Sequence, residues 1–231
     1  MIHNTNNKGI LYIVPTPIGN LKDITIRAIE TLKNSDIIAA EDTRNAGKLL
    51  KLLDITPKKL ISYYEHNEDE KSDYVLNLLN EGKNVSLISD AGTPLISDPG
   101  YKLVNKARNN NIQVIALPGA TAFVTALSGS GFPNHNIFFF GFPPQKKGRK
   151  NFLIKLKNYF GTIILYESSH RILKLIVELE DIFINDITIC VAKELTKIYE
   201  EYIIGNIKDV KLILSEKEKQ KGEFVILINN N

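Results

Sequence analysis

Apolar runs of strand length alternate with segments of helical period along the whole chain. Ile10–Pro15 is a short β-rich run. Asp23 then stands as an N-cap before an amphipathic segment over Ile24–Lys33, whose Ile26, Ile29 and Leu32 fall on one face. Strand-like Asp36–Ala40 precedes a helix over Arg44–Leu53, and strand-like Leu60–Tyr64 precedes a helix over Asp69–Asn80 that Gly82 stops. Val85–Ser89 reads as a strand. Asp98-Pro99 opens a helix to Asn109, with Asp at the cap and Pro at the first position, and Ile112–Leu117 is the next strand. This order predicts a mostly parallel sheet covered by helices on both faces.

Pro118-Gly119 reads as a hinge, dividing the chain into an N-terminal α/β domain over 1–117 and a C-terminal one over 118–231. In the second half a small-residue helix over Thr121–Ser128 leads to a strand over Asn136–Phe142. A basic loop and a helix over Asn151–Asn158 follow, then a strand over Thr162–Tyr166 and a helix capped by Ser169 that runs to Glu180. Ile187–Ala192, Tyr199–Ile204 and Phe224–Ile228 are further strands, and the short turns near the last two predict a mixed sheet. Lys208–Lys221 mixes signs and reads as a solvated face. Phe138, Phe139 and Phe140 are consecutive on a strand and must point to both faces, so most are core, which leaves room for one aromatic, with Phe142, to stack on a base.

A chain of 231 residues can bury a sizeable core, and 43% hydrophobic with 24% charged residues excludes a disordered polymer. The single cysteine, Cys190, excludes a disulfide framework, and His3, His66, His135 and His170 are scattered, so no metal site is expected. No apolar run approaches the ~18 residues of a membrane span, and the polar Met1–Lys8 stretch has no signal core, so the cytoplasm is the expected location. Charge changes the picture more. Residues 99–166 hold no acidic residue but nine basic ones, against 20 basic and 26 acidic elsewhere. Such sorting points to a basic face for a polyanion. Lys146, Lys147, Arg149 and Lys150 form its densest run and are the expected phosphate contacts.

The candidate chemistry lies at strand ends. Val14-Pro15-Thr16-Pro17-Ile18-Gly19-Asn20 replaces the Gly-rich fingerprint of a dinucleotide site with two prolines, which lack amide donors; it suits the wall of a pocket for an uncharged or cationic ligand. Ser89-Asp90-Ala91-Gly92-Thr93-Pro94 follows the fourth strand, where open α/β sheets place ligands, and Asp90 has no helix to cap at once. The second Ser-Asp, at Asp98, reads as a helix cap. Leu117-Pro118-Gly119-Ala120-Thr121-Ala122 repeats the design. Polar groups for proton transfer are Glu41, Asp42 and Arg44 after the second strand, Glu167 with His170 and Arg171 after another, and Lys193 after a third. Helix capping accounts for Asp42 or Ser169 alone, and the choice of base among Glu41, Asp42, Glu167 and Lys193 stays open.

The series VPTPIGNLKDIT, AEDTR, SDAGTPLISDPG, LPGATA, GF, YESSHR, AKELTKIYEE and KGEFV, spanning about residue 9 to residue 228, resembles the tetrapyrrole methylase superfamily, in its branch that methylates a cytidine 2'-oxygen of 16S rRNA. The resemblance implies two α/β domains with S-adenosyl-L-methionine in a cleft between them, a homodimer, and the small ribosomal subunit as partner. Cofactor contacts carried over by it are Pro15, Asp90, Gly92, Thr93, Thr121, Ala122, Tyr166 and Gly222. RNA contacts would be Lys146, Lys147, Arg149, Lys150, His170 and Arg171. Members of this branch continue past the KGEFV strand into a helical segment, whereas this sequence ends at Asn231; the cofactor site is expected to be independent of that segment. The alternative is a small-molecule methyltransferase of the same fold acting on a tetrapyrrole precursor, whose carboxylates would also call for basic residues.

Overall fold

The computed structural model describes residues 8–183 and 187–230. His3, with the rest of the polar N-terminal stretch through Asn7, and Asn231 lie outside them. The chain divides into two compact units after Thr121. The division falls past Pro118-Gly119 because Thr121 Oγ1 lies 2.7 Å from Thr93 Oγ1 and keeps that turn with the first unit.

The first unit runs β1 (Ile10–Ile13), α1 (Ile26–Asn34), β2 (Ile37–Ala40), α2 (Thr43–Leu52), β3 (Leu60–Ser62), α3 (Glu68–Asn80), β4 (Val85–Ile88), α4 (Tyr101–Asn109) and β5 (Gln113–Ala116). Its five strands are all parallel in the order β3-β2-β4-β1-β5. The alternation within β2 shows why both faces are covered. Ile37 and Ala39 join Val75 and Leu79 of α3 and Leu103 and Ala107 of α4 in one core. Ile38 and Ala40 join Ala28 and Leu32 of α1 and Ala46 and Leu50 of α2 in the other. Each such buried Leu or Ile side chain contributes about 1.5–3 kcal/mol of transfer free energy.

The second unit runs α5 (Ala122–Ser130), β6 (Ile137–Gly141), α6 (Arg149–Leu156), β7 (Gly161–Ser168), α7 (Ile172–Ile182), β8 (Thr188–Lys193), β9 (Glu201–Asn206), α8 (Ile207–Leu214) and β10 (Glu223–Asn230). The sheet order is β6-β7-β10-β8-β9; β6 and β7 are parallel and the other pairs antiparallel, so the sheet is mixed. Leu153, Leu175, Leu179, Val210 and Leu214 of α6, α7 and α8 pack with Ile163, Leu165, Val191 and Ile226 of the sheet. The small-residue helix α5 packs through Gly129, where a Cβ would sit 2.4 Å from Tyr202 Oη.

Three expected caps are held by other residues. Thr25, not Asp23, caps α1, its hydroxyl accepting from Ala28 N–H at 3.0 Å, while Asp23 closes a short 3-10 turn. Gly100 (φ 136°), not Asp98, precedes α4, because Asp98 is drawn toward Ser89. Arg171, not Ser169, precedes α7. The stretch read as a solvated face holds α8, whose Ile207, Val210 and Leu214 are buried.

Candidate active site

In the first sheet the direction of travel reverses between β4 and β1, so the loops leaving them part and open a crevice at the strand ends. Three loops are stitched together there. Thr16 N–H donates to Gly92 O at 2.9 Å and Gly92 N–H to Thr16 O at 3.0 Å. Thr16 Oγ1 donates to Ser89 O at 3.1 Å, and Thr93 Oγ1 to Ala120 O at 3.0 Å. Gly119 lies against Pro15 so closely that a Cβ would come within 2.5 Å of the proline Cβ. Gly92 takes φ +85°, which its missing side chain permits; Leu95 and Ser97 adopt φ +73° and +66° without that freedom, strain the surrounding bonds must hold. Pro15, Gly92, Thr93 and Thr121 thus share one backbone-lined rim.

Carboxylates stand beside it. Asp90 is exposed; its Oδ1 accepts from Asp42 N–H at 3.2 Å and its Oδ2 from Asn45 Nδ2 at 2.8 Å. Asp42 caps α2 through Arg44 N–H at 2.8 Å and pairs with the Arg44 guanidinium at 2.6 Å, which holds its carboxyl down at about 2. Burial, aided by the charges of Asp90 and Asp42, raises the Glu41 carboxyl. Burial also pushes Asp98 up to about 6, against the Ser89 hydrogen bond and with the charges of Glu41 and Asp90 adding to the rise. A concentration of negative charge at a rim of small residues and backbone suits a cation that carries flat and aliphatic parts. Among the described residues no group of three or more His, Cys, Asp or Glu is placed to hold a metal ion.

The second unit uses its charged strand end differently. The Glu167 side chain is fully buried. Its Oε2 accepts from both Arg149 Nη atoms at 3.2 Å, and its Oε1 accepts from Arg171 Nε at 2.7 Å and Ser168 N–H at 2.9 Å. Arg149 also donates to Glu178 at 2.7 Å and to the Pro144 carbonyl at 3.1 Å. Arg149 is therefore not a surface phosphate contact. It is 4% exposed and anchors the basic loop from beneath, while Lys146, Lys147, Lys150 and His170 are exposed. Arg171 is committed to Glu167 and only partly exposed.

Lys193 is buried, and its ammonium donates to Glu218 O at 3.3 Å. Gly222 (φ +111°) leaves room for Glu194, whose Cγ would lie 2.5 Å from an added Cβ. Tyr166 Oη accepts from Phe123 N–H at 3.1 Å, one residue after Ala122 opens α5. Asn45 and Glu178 escaped the sequence reading: each acquires its partner through the tertiary fold.

An open parallel α/β unit whose first strand-end loop carries prolines in place of a Gly-rich phosphate cradle, followed by a second α/β unit with a mixed sheet, sets the chain apart from the dinucleotide-binding fold. A sequence profile described as Tetrapyrrole (Corrin/Porphyrin) Methylases matches residues 10–211, and the chain belongs to that family. It is an S-adenosyl-L-methionine-dependent methyltransferase. The chain is 48% identical over 219 residues to the ribosomal RNA small subunit methyltransferase I of Hydrogenobaculum sp. (strain Y04AAS1), covering 95% of each. It is 43% identical over 228 residues to the protein of that name from Escherichia coli O157:H7, covering 98% of this chain and 79% of that one. Uroporphyrin-III-C-methyltransferase from Thermus thermophilus shares the fold with a TM-score of 0.67 at 18% identity, over 96% of this chain and 95% of that one.

Proposed function

We propose that the chain methylates small-subunit ribosomal RNA, transferring a methyl group to the 2'-oxygen of cytidine 1402 in the decoding region of 16S rRNA. The carrying observation is the identity of 43–48% over at least 95% of this chain to proteins named ribosomal RNA small subunit methyltransferase I, while the cytidine 2'-oxygen comes from the family resemblance. S-adenosyl-L-methionine, when bound, supplies an electrophilic methyl group on a sulfonium.

The donor set of the first unit fits such a ligand. Gly92, Thr93 and Thr121 offer backbone and hydroxyl contacts, Pro15 an apolar wall, and Asp90 a negative charge. Ala122, Tyr166 and Gly222 are the contacts we assign to the second unit. A ribose hydroxyl is a weak acid, so a group must take its proton as the new bond forms. Of the four candidate bases, Asp42 is held at about 2 and is too weak. Glu167 is enclosed by two guanidinium groups, and Lys193 is tied to a carbonyl. Glu41, with its basicity raised, is the best supported. Lys146, Lys147 and Lys150 are assigned to RNA phosphates. The family resemblance adds a homodimer acting in the cytoplasm on the assembled small subunit.

The test is transfer from labelled S-adenosyl-L-methionine to small ribosomal subunits lacking the modification, with mass-spectrometric mapping of the product. A single 2'-O-methylcytidine in the decoding region is expected. Transfer to a tetrapyrrole precursor but not to the subunits would replace this reading with the small-molecule one.

A further inference from the structure

Phe138, Phe139, Phe140 and Phe142 lie on one short stretch, yet they end in different places. Phe138 and Phe140 face the buried core and pack on Tyr159 at 5.0 and 4.9 Å between ring centroids. Phe139 points the other way, stacked on Phe123 at 4.5 Å and edge-on to Tyr166 at 5.0 Å. Simple alternation would send Phe142 to the core with Phe140. It does not go there. The pairing of β6 with β7 slips between Phe139 and Gly141, and Gly141 takes φ +64°. The extra residue reverses the alternation. Phe142 therefore emerges on the Tyr166 side, 5.5 Å from that ring and at 64° to it, with 53% of its surface exposed.

A bulge that takes a phenylalanine out of the core and leaves its ring in solvent forgoes the free energy of burying it. The adjoining chemistry indicates what the ring is for. Phe142 is followed at once by the loop that carries Lys146 and Lys147, and it lies within the stretch of 99–166 that contains no acidic residue. Arg149, pinned by Glu167 and Glu178, donates to Pro144 O and so fixes the loop relative to the strand that carries the ring. An exposed aromatic face followed in the chain by exposed cations is a combination that suits an unpaired nucleotide, with the base stacked and its phosphates neutralised.

We propose that Phe142 is a stacking platform for an unpaired base of the RNA substrate, with Lys146 and Lys147 contacting the neighbouring phosphates. This rests on the rRNA reading above. The occupant is a nucleobase and not an apolar protein surface, because the loop that follows the ring exposes Lys146 and Lys147.

The chain contains no tryptophan, so Phe142→Trp places a single indole reporter at the platform. The probe is a short single-stranded RNA containing cytidine, compared with the same RNA carrying abasic sites. Binding is followed separately by anisotropy of an end label. Stacking predicts strong quenching of the indole by the intact RNA and little by the abasic one. Phe142→Leu keeps an apolar side chain but no π-face, and is expected to bind roughly tenfold more weakly than Phe142→Trp, as loss of one base stack predicts. An indole spectrum unmoved while the RNA binds would overturn the platform and leave the rRNA reading standing. So would equal affinity of the Leu and Trp variants, or a spectral change that follows protein concentration without RNA. Failure of the wild-type chain to bind either RNA or small ribosomal subunits would overturn both readings together.

Discussion

Asp90 follows the C-terminal end of β4 and Glu167 stands near the C-terminal end of β7, and both are held by several hydrogen bonds, yet their surroundings are opposite. Asp90 is exposed and accepts from two neutral donors, the Asp42 amide and the Asn45 side chain. Glu167 has no exposed side-chain surface and is enclosed by two arginines. Neutral donors orient a carboxylate and leave its charge to act on a ligand, whereas guanidinium groups cancel it. Position at a strand end is thus insufficient to define a catalytic carboxylate. The partner's charge decides between chemistry and scaffolding.

The comparison is tested most severely by breaking the scaffold. Glu167→Ala would leave Arg149 buried opposite a void, with only Glu178 to balance it. Removing one partner of a buried ion pair costs about 3–5 kcal/mol, so the urea midpoint should fall sharply. Glu167→Gln, which keeps the shape and can still accept hydrogen bonds, should lose less. A Glu167→Ala protein with undiminished stability and lost methyl transfer would place Glu167 in the chemistry and undo the distinction.

The acidic rim of the first unit makes a prediction of the opposite sign. Asp98 is raised from 3.8 to about 6. Below about pH 4 folded and unfolded chains both hold its proton, and its stabilising contribution is fully present. Between about pH 4 and 6 the folded chain keeps a proton that the unfolded chain has released, so stability falls as pH rises, levelling off above the folded value. The full swing is on the order of 3 kcal/mol, reduced by whatever solvent screens the partly exposed carboxyl. Asp98→Asn should flatten that part of the profile and raise stability near neutrality, read from urea midpoints across the range. An unchanged slope would mean that Asp98 titrates normally and that the rim is less crowded with charge than its geometry implies.

The fold was largely legible because parallel strands buried on both faces give continuous apolar runs, as Ile37-Ile38-Ala39-Ala40 does. Caps were less legible, since tertiary partners override local chemistry. Gly100 N–H is taken by Glu68 Oε1 at 2.6 Å, a carboxylate from α3 that also accepts from Tyr63 Oη at 3.1 Å, and no local pattern announces that network. At the candidate site, Ser-Asp-Ala-Gly-Thr stands out in the sequence because small residues at a strand end have few other uses. Arg149 was not: within Lys-Lys-Gly-Arg-Lys its charge matches its neighbours', and only the phase of α6 turns it inward. Alternation was likewise a poor guide to Phe142, where one inserted residue reverses it.

Asp90 itself is the next probe. Asp90→Asn keeps the size and some of the hydrogen bonding but removes the charge. If the carboxylate acts on a cationic cofactor, affinity for S-adenosyl-L-methionine should weaken about tenfold, equivalent to about 1.4 kcal/mol, with little change in the urea midpoint. Affinity for the product S-adenosylhomocysteine, whose sulfur is a neutral thioether, should change less, because the sulfonium charge is gone. Calorimetric titration of both ligands reads the difference. Equal losses for the two would reduce Asp90 to a spacer that holds Asp42 and Asn45.

The smallest energetic effect is expected where the charges are most exposed. Replacing Lys146, Lys147 and Lys150 together by alanine removes no buried ion pair, so the urea midpoint should stay within about 0.5 kcal/mol of the parent. RNA affinity should nevertheless fall and become less sensitive to salt. On a single strand, every phosphate left without its lysine lowers the slope of log affinity against log salt by about 0.7. Arg149→Ala supplies the contrast: it should destabilise the unit by disrupting the Glu167 and Glu178 pairs, and reduce the slope only through the loop it anchors. If instead the triple lysine variant keeps the full slope while Arg149→Ala alone flattens it at preserved stability, the buried arginine is the phosphate ligand. The division between scaffolding charge and binding charge would then have to be drawn the other way in this unit.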